Sequence, residues 1–246
     1  MYVWYYQRSE KFGLIKPGGV YSDKIINFLS HLNLAGPLPN GVDVLNPYKG
    51  PGVFEYCKTF YHKYYQDDKR RTLILGINPG RFGGGLTGIP FTDPVKLQEE
   101  CGIANDLPQK KELSADFIYQ LIHGYGGCDA FYNKFYFSSV CPLGFTSKGK
   151  NYNYYDTPAL QKAVYPFIVQ SLEKQIDFGF NTKFVFCLGE GKNLKFLHKL
   201  NDEKKYFQHI IPLSHPRYIM QYKRKSIHAF IDDYLKKLKH PLSFIS

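Results

Sequence analysis

Four short apolar segments, each followed by polar or turn-forming residues, constrain the fold of this chain more than any other feature. They have the length and the β-branched or aromatic content of strands, and segments with helical patterns separate them. They are 72-TLILGI-77, 134-KFYFSSV-140, 183-KFVFCL-188 and 208-QHIIPL-213. Because each is continuously apolar and not alternating, each strand should be buried on both faces. The sequence therefore predicts an α/β fold, a three-layer αβα sandwich with a short, mainly parallel four-stranded sheet.

Helical periodicity fills the intervals between these segments and both flanks. Helices are predicted at 22–34, 53–66, 110–126, 158–177, 191–201 and 226–240. The chain has 246 residues and 43% hydrophobic content, which suits one domain over residues 1–246. About the first 20 residues are expected to be peripheral to it.

The charge and the aromatic content favour nucleic acid as the partner. The formal net charge is +11, and such an excess attracts polyanions. The chain also has 21 Tyr and 20 Phe, and rings beside cations can stack on bases. Taken alone, the charge is equally compatible with a basic protein that binds no nucleic acid. The aromatic rings are also compatible with packing in the core.

The cysteines indicate a reducing compartment. They are odd in number, form no C-x-x-C pair, and lack the spacing of a zinc site or a disulfide framework: Cys57, Cys101, Cys128, Cys141 and Cys187. No secretory h-region and no run of about 18 apolar residues occurs. We therefore expect a soluble, cytoplasmic protein with no membrane partner and no metal or organic cofactor.

Polar residues collect where the predicted strands end. In open α/β sheets, ligands bind beyond the carboxyl ends of the strands. The four ends are 78-NPG-80, 138-SSVCP-142, 189-GEGK-192 and 214-SHPR-217. We expect all four to meet in one cleft.

Two features of these ends have functional and purely structural interpretations. The glycine-rich stretch 76–91 could cradle a phosphate or form a tight surface turn, and it is neither a Walker loop nor a G-x-G-x-x-G turn that opens a helix. A lone histidine such as His215 is more often structural than catalytic. Its place at a strand end, beside Arg217 and 223-KRK-225, suits an imidazole that stabilises negative charge.

The same residues resemble a known family. The run 76-GINPG-80, followed by Phe82-Gly83 and 87-TGIPF-91, is similar to the first motif of the SMUG-type (single-strand-selective monofunctional) uracil-DNA glycosylases. His215-Pro216 with Arg217 is similar to the second motif. Further segments match in the family's order, so that the resemblance extends from about residue 24 to about residue 240: 45-LNPYKGP-51, 112-ELSADF-117 and 141-CPLGF-145.

The resemblance implies the αβα fold, cofactor-free hydrolysis of the N-glycosidic bond of a damaged base in DNA, and roles for individual residues. Asn78 would hold the attacking water, and His215 would face the O2 atom of the departing base. The extruded base would stack on Phe91. The substrate site would further include Gly76, Ile77, Gly80 and Ser139. The residues expected to contact DNA are Arg81, Gly84, Lys148, Lys150, Ser214 and Arg217, with the segment through Tyr222 as a loop that fills the gap left by the base.

Two departures from the family pattern bear on the substrate. The second motif is shorter than usual, which favours single-stranded DNA over duplex. Ser139 stands where the family has an asparagine that reads the uracil edge. A hydroxyl offers one rotatable group where an amide offers a donor and an acceptor, so xanthine should be accepted as well as uracil.

No lysine occupies a nucleophilic position in these motifs, so no lyase step is expected. We expect a monomer that acts in a bacterial cell. Two other functions remain open from the residues: a non-catalytic binder of single-stranded nucleic acid, and a hydrolase of small nucleosides or nucleotides. The broad positive charge argues against the second of these.

Overall fold

The computed structural model describes residues 19–50 and 52–244, so nearly all of the predicted peripheral N-terminal segment lies outside the described residues. The described strands are β1 (Val42–Leu45), β2 (Thr72–Gly76), β3 (Phe135–Ser139), β4 (Gly144–Ser147), β5 (Lys150–Tyr152), β6 (Asn181–Leu188) and β7 (His209–Leu213).

A four-stranded parallel sheet forms the centre of the molecule, with the strand order β3-β2-β6-β7. All five residues of β2 are buried, as expected of a strand covered on both faces. Gly76 pairs with Ser139, so β2 and β3 end level with each other. Helices flank the sheet, and the predicted α/β sandwich is confirmed.

The described helices are α1 (Tyr21–Ser30), α2 (Val53–Tyr65), α3 (Gly84–Thr87), α4 (Pro94–Glu99), α5 (Leu113–Tyr125), α6 (Cys128–Tyr132), α7 (Pro158–Ile176), α8 (Lys192–Lys204), α9 (Pro216–Tyr222) and α10 (Ile227–Lys239). Short 3₁₀ helices lie at Pro47–Lys49, Arg224–Ser226 and Pro241–Phe244. Each of the six predicted helices is present with ends shifted by a few residues. The pattern missed α3, α4, α6 and α9, because four to seven residues contain too few helical turns to show a periodicity.

A second, antiparallel sheet with the order β1-β4-β5 was not predicted from the sequence. Its strands have three or four residues and show no regular apolar alternation. β4 and β5 are joined by a two-residue turn in which Lys148 and Gly149 have φ values of 49° and 70°, the left-handed geometry that suits a tight hairpin. This small sheet brings Lys150, Asn151 and Tyr152 to the carboxyl ends of the large one.

A buried arginine fixes the start of β2. Arg71 is fully buried, and all five of its N–H donors have acceptors. Nε donates to the Tyr132 carbonyl (2.7 Å), and the two terminal nitrogens donate to the Asp67 carboxylate (2.6 and 3.2 Å) and to the carbonyls of Lys69 and Tyr64. Its guanidinium carbon also lies 4.7 Å from the ring centre of Tyr65. One side chain thus joins β2 to the segments that end α2 and α6.

No helix among residues 19–50 and 52–244 is long and apolar enough to cross a membrane.

Replacement of this arginine should destabilise the fold. Arg71→Ala leaves the Asp67 carboxylate and several carbonyls without their donor, and we expect the free energy of unfolding to fall by about 3 kcal/mol. Arg70→Ala, at the exposed neighbouring position, is the matched control and should change it little. Denaturant unfolding followed by circular dichroism measures both. Equal stability of the two variants would contradict the role assigned to Arg71.

Candidate active site

A cleft of about 590 Å³ opens at the carboxyl ends of the parallel strands. Its walls come from the loop after β2, the last residue of β3, the hairpin strand β5 and the first residues of α9. Three of the four predicted strand ends therefore meet in the cleft. The end of β6 does not line it, and instead the Glu190 carboxylate accepts a hydrogen bond from Ser214 Oγ (3.0 Å).

The side-chain amide of Asn78 lies in the cleft in a fixed orientation. Its Nδ2 donates to the carbonyls of Tyr152 (3.2 Å) and Pro79 (3.3 Å), and its Oδ1 accepts from the Tyr154 N–H (3.1 Å). These bonds use both amide hydrogens and one of the two lone pairs of Oδ1. One lone pair remains, and it can accept a hydrogen bond from a water molecule.

His215 presents a neutral imidazole. Burial, and secondarily the charge of Arg217, lower its pKa to about 4 from the ordinary 6.5. His215 is also the N-cap of α9, where its Nδ1 accepts the Arg217 backbone N–H at 3.2 Å. Since Nδ1 is an acceptor, the single proton of the neutral ring is assigned to Nε2. The ring therefore has an Nε2–H donor without a positive charge.

The ring of Phe91, which lines the cleft, packs against Gly76. A Cβ atom on Gly76 would lie 2.9 Å from Cζ of Phe91, so the ring occupies space that only glycine leaves open. The ring centre of Phe91 is 5.2 Å from that of Phe137 and 6.4 Å from that of His215. Phe91 has a φ of 55°, which is uncommon for a residue with a side chain. The surrounding packing therefore holds the ring at a specific place.

Ser139 ends β3 on the cleft side and is 6% exposed. Its hydroxyl makes no hydrogen bond to any residue in the described part of the chain, and so it is free to pair with a ligand. Ser138 points the other way, and its hydroxyl donates to Gln175 on α7 at 2.5 Å. The alternation of side chains along a strand separates the two serines.

Most of the predicted DNA-contacting residues lie at the cleft. Its lining includes four of the six: Arg81, Gly84, Lys150 and Arg217. Of the predicted substrate-site residues, Ile77 and Gly80 also line the cleft, whereas Gly76 does not. Nε of Arg81 is buried without a hydrogen-bond partner among the described residues. Lys148 and Ser214 do not line the cleft: the first is at the tip of the β4–β5 hairpin, and the second is bonded to Glu190.

The segment after His215, interpreted from the sequence as a loop, is the helix α9. Pro216 stands at the first helical position, which suits its fixed φ and its lack of an N–H group. The first turns of α9 carry Arg217 and Tyr218 to the cleft, and Tyr222 lies at its end with 72% exposure. A helix therefore borders the cleft where a loop was expected.

Glu112 is a cleft residue that sequence reasoning missed. Its carboxylate presses on the glycine-rich loop, since a Cβ atom on Gly83 would lie 1.7 Å from Glu112 Oε2. Burial and the nearby carboxylate of Asp93 raise the pKa of Glu112 to about 7, and the opposite effect of Arg217 is smaller. The only signal in the sequence was its position at the start of the ELSADF segment. Other unpredicted lining residues are Tyr48, Ser114, Asn151, Asn153 and Gln221.

Within the described ranges, no group of three or more His, Cys, Asp or Glu side chains is arranged to hold a metal ion.

Comparison with known families defines the class of protein to which this fold and cleft belong. The sequence model of the Uracil DNA glycosylase superfamily matches residues 62–239, which include the cleft segments from Asn78 to Tyr222. The chain therefore belongs to this superfamily, whose members are DNA glycosylases that act in base excision repair.

Within the superfamily, the predicted SMUG-type assignment is confirmed. The chain is similar to the crystal structure of wild-type Pedobacter heparinus SMUG2, with a TM-score of 0.89 and 50% sequence identity. The alignment covers 91% of this chain and 99% of that one. A search of curated proteins found no match.

The raised pKa of Glu112 should make stability depend on pH. The native state favours the protonated acid, so Glu112 stabilises the fold below its ordinary pKa of 4.5, and this contribution is lost as the pH rises through about 7. The variant Glu112→Gln keeps a neutral group at every pH. The melting temperature of the unaltered protein relative to the variant should therefore fall between about pH 5 and pH 8. The exposed Glu99→Gln is the control, and a pH-independent difference for Glu112→Gln would refute the assignment.

The fit between Gly76 and Phe91 can be tested with one methyl group. The family resemblance implies that the extruded base stacks on Phe91. Gly76→Ala should displace this ring, and we expect it to slow the release of uracil from DNA by about tenfold or more, the range for loss of a stacking ring. The control is Gly19→Ala, where an added Cβ would meet nothing within 4 Å. Single-turnover assays measure the rates. An unaltered rate in Gly76→Ala would mean that the position of the ring is unimportant.

Proposed function

We propose that this protein is a monofunctional DNA glycosylase that hydrolyses the N-glycosidic bond of uracil, and also of xanthine, and thereby starts base excision repair. The observation that carries the proposal is that Asn78, Phe91 and His215 face one cleft with their side chains held in place. Membership of the superfamily supports the type of reaction. The substrate range, the preference for single strands and a monomeric state belong to the proposal.

The reaction requires the target base to leave its stack. A nucleotide on a single strand, or one rotated out of a duplex, can enter a pocket at the end of the sheet. Phe91 then stacks on the base. Arg81, Lys150 and Arg217 border the cleft, where their positive charges suit the phosphates that flank the base.

Asn78 orients the water but cannot act as a base. The free lone pair of its Oδ1 accepts a hydrogen bond from the water, which aims the water oxygen at the sugar carbon. An amide does not take up the proton, and a positioned carboxylate in its place would contribute about 10²–10⁴-fold. We therefore expect a slow enzyme that depends on stabilisation of the leaving base.

His215 supplies that stabilisation. As the glycosidic bond breaks, negative charge develops on the base, and the Nε2–H of the neutral imidazole can donate to its O2 atom. A neutral electrophile of this kind needs no protonation step. Because the pKa of His215 is about 4, the ring stays in this form across the neutral range. The water oxygen bonds to the sugar carbon as the bond to the base breaks, and the proton that the water loses passes to the departing base or to solvent. No lysine takes part, so the product is an abasic site.

The main test uses oligonucleotides with one uracil or one xanthine, single-stranded or duplex, followed by alkaline cleavage at abasic sites. We expect alkali-dependent cleavage that His215→Ala lowers by about 10²–10³-fold, as for the loss of one donor to a developing anion. Asn78→Ala should remove most of the alkali-dependent cleavage. The control is His228→Ala on the exposed face of α10. Binding without base release in every variant would replace the proposal with a non-catalytic binder of single strands.

The role of Ser139 has its own test. Ser139→Asn introduces a fixed donor and acceptor that match a pyrimidine edge, and it should lower xanthine release relative to uracil release by about tenfold or more. Ser139→Ala, which removes the hydroxyl and adds no amide, is the control. If the ratio of xanthine to uracil release is the same in Ser139→Asn and the unaltered protein, Ser139 does not set the range.

A further inference from the structure

A second cavity, of about 520 Å³, lies outside the cleft, between α7 and α8. Four lysines line it: Lys162, Lys192, Lys195 and Lys199. Three aromatic rings line it as well: Tyr155, Tyr165 and Phe196. We call this feature the lysine groove. Neither the proposed reaction nor the family motifs use any of these residues.

The cations of the lysine groove are available to a ligand. The three lysines on α8 are spaced by three and four residues, so they share one face of the helix over about 10 Å of its axis. All four lysines of the groove are exposed, and none pairs with a carboxylate in the part of the chain that the structure describes. No Asp or Glu among the described residues lines the groove. Of the two acids on the same helix, Asp202 and Glu203, the second accepts a hydrogen bond from the hydroxyl of Tyr165 at 2.6 Å. Positive charge therefore dominates the groove.

The groove adjoins the cleft through three consecutive residues. Asn153 lines the cleft and Tyr155 lines the groove. Between them, Tyr154 is buried, and its N–H holds Oδ1 of Asn78. The Tyr154 hydroxyl donates to Asn193 Oδ1 on the first turn of α8 (2.8 Å). The lining of the cleft and the lining of the groove are therefore only two residues apart along the chain, on either side of a buried, hydrogen-bonded tyrosine.

We propose that the lysine groove binds the single-stranded DNA that flanks, on one side, the nucleotide held in the cleft. The lysines contact the phosphates, and bases stack on the partly exposed rings of Tyr155 and Tyr165. Cations beside aromatic rings are the combination that single-strand binding surfaces use. The groove begins two residues from the lining of the cleft, and this favours DNA over an acidic protein as its ligand. That choice of ligand rests on the proposed function.

The test compares two double charge reversals. Lys195→Glu with Lys199→Glu alters the groove. Lys134→Glu with Lys183→Glu makes the same change of charge at exposed positions beside the amino-terminal ends of β3 and β6, on the opposite edge of the sheet. Binding of undamaged single-stranded oligothymidylate is measured over a range of salt concentrations, which requires no base release. We expect the groove variant to bind about tenfold more weakly. The slope of log affinity against log salt concentration should be smaller in magnitude by about 1.4 for this variant. That is about 0.7 for each of the two phosphates that a lysine no longer neutralises.

A second measurement tests the position of the strand. Single-turnover uracil release is followed on oligonucleotides with the lesion near the 5′ end or near the 3′ end. For one of the two substrates, the groove variant should need a higher protein concentration than the unaltered protein to reach a half-maximal rate. For the other substrate, whose long flank lies on the opposite side of the lesion, the two proteins should need the same concentration. If the unaltered protein releases no base, the proposed function fails, and the oligothymidylate data still decide whether the groove binds a strand.

Two results would overturn the proposal. Equal weakening by both double variants would assign the effect to the overall charge. Unaltered oligothymidylate binding by the groove variant would exclude DNA from the groove, and a loss of polyglutamate binding in the same variant would identify an acidic protein as its ligand instead.

Discussion

The close approach of the small antiparallel sheet to the loop after β2 is the constraint on which the cleft depends. A Cβ atom on Gly144 would lie 2.4 Å from the Pro79 carbonyl oxygen, so β4 can pack here only with a glycine at that position. This contact brings the Tyr152 and Tyr154 backbone to Asn78, whose amide they orient. The large sheet positions the amide of Asn78, and the small sheet and the residues that follow it supply its hydrogen-bond partners.

The electrostatics of the cleft favour neutral groups. Burial, and secondarily Arg217, disfavours the charged form of His215. Burial and the carboxylate of Asp93 raise the pKa of Glu112 to about 7, and the opposite effect of Arg217 is smaller. Among the described residues that line the cleft, the positively charged side chains are Arg81, Lys150 and Arg217. A neutral imidazole beside an oriented amide suits the proposed reaction, in which the leaving group develops the charge.

The sequence predicted the large sheet correctly because its strands are continuous apolar segments, and it predicted Asn78, Ser139 and His215 at the cleft because the ends of parallel strands meet. It failed where no periodic pattern exists. The short strands of the small sheet and the seven residues of α9 leave no such pattern. Glu112 was missed because its importance comes from a contact with Gly83, which is distant in sequence. The end of β6 was expected in the cleft. Glu190, which follows β6, instead accepts a hydrogen bond from Ser214, and neither residue lines the cleft.

His215 has two duties that share one ring. Its Nδ1 caps the first turn of α9 by accepting the Arg217 N–H, while its Nε2–H is the donor that the proposed mechanism assigns to the base. The orientation of the imidazole therefore depends on the position of the helix. A shift or tilt of the first turn of α9, where Arg217 and Tyr218 line the cleft, must also turn the imidazole ring. In the proposed mechanism, any movement of α9 on contact with the DNA strand therefore also changes the direction of the Nε2–H donor.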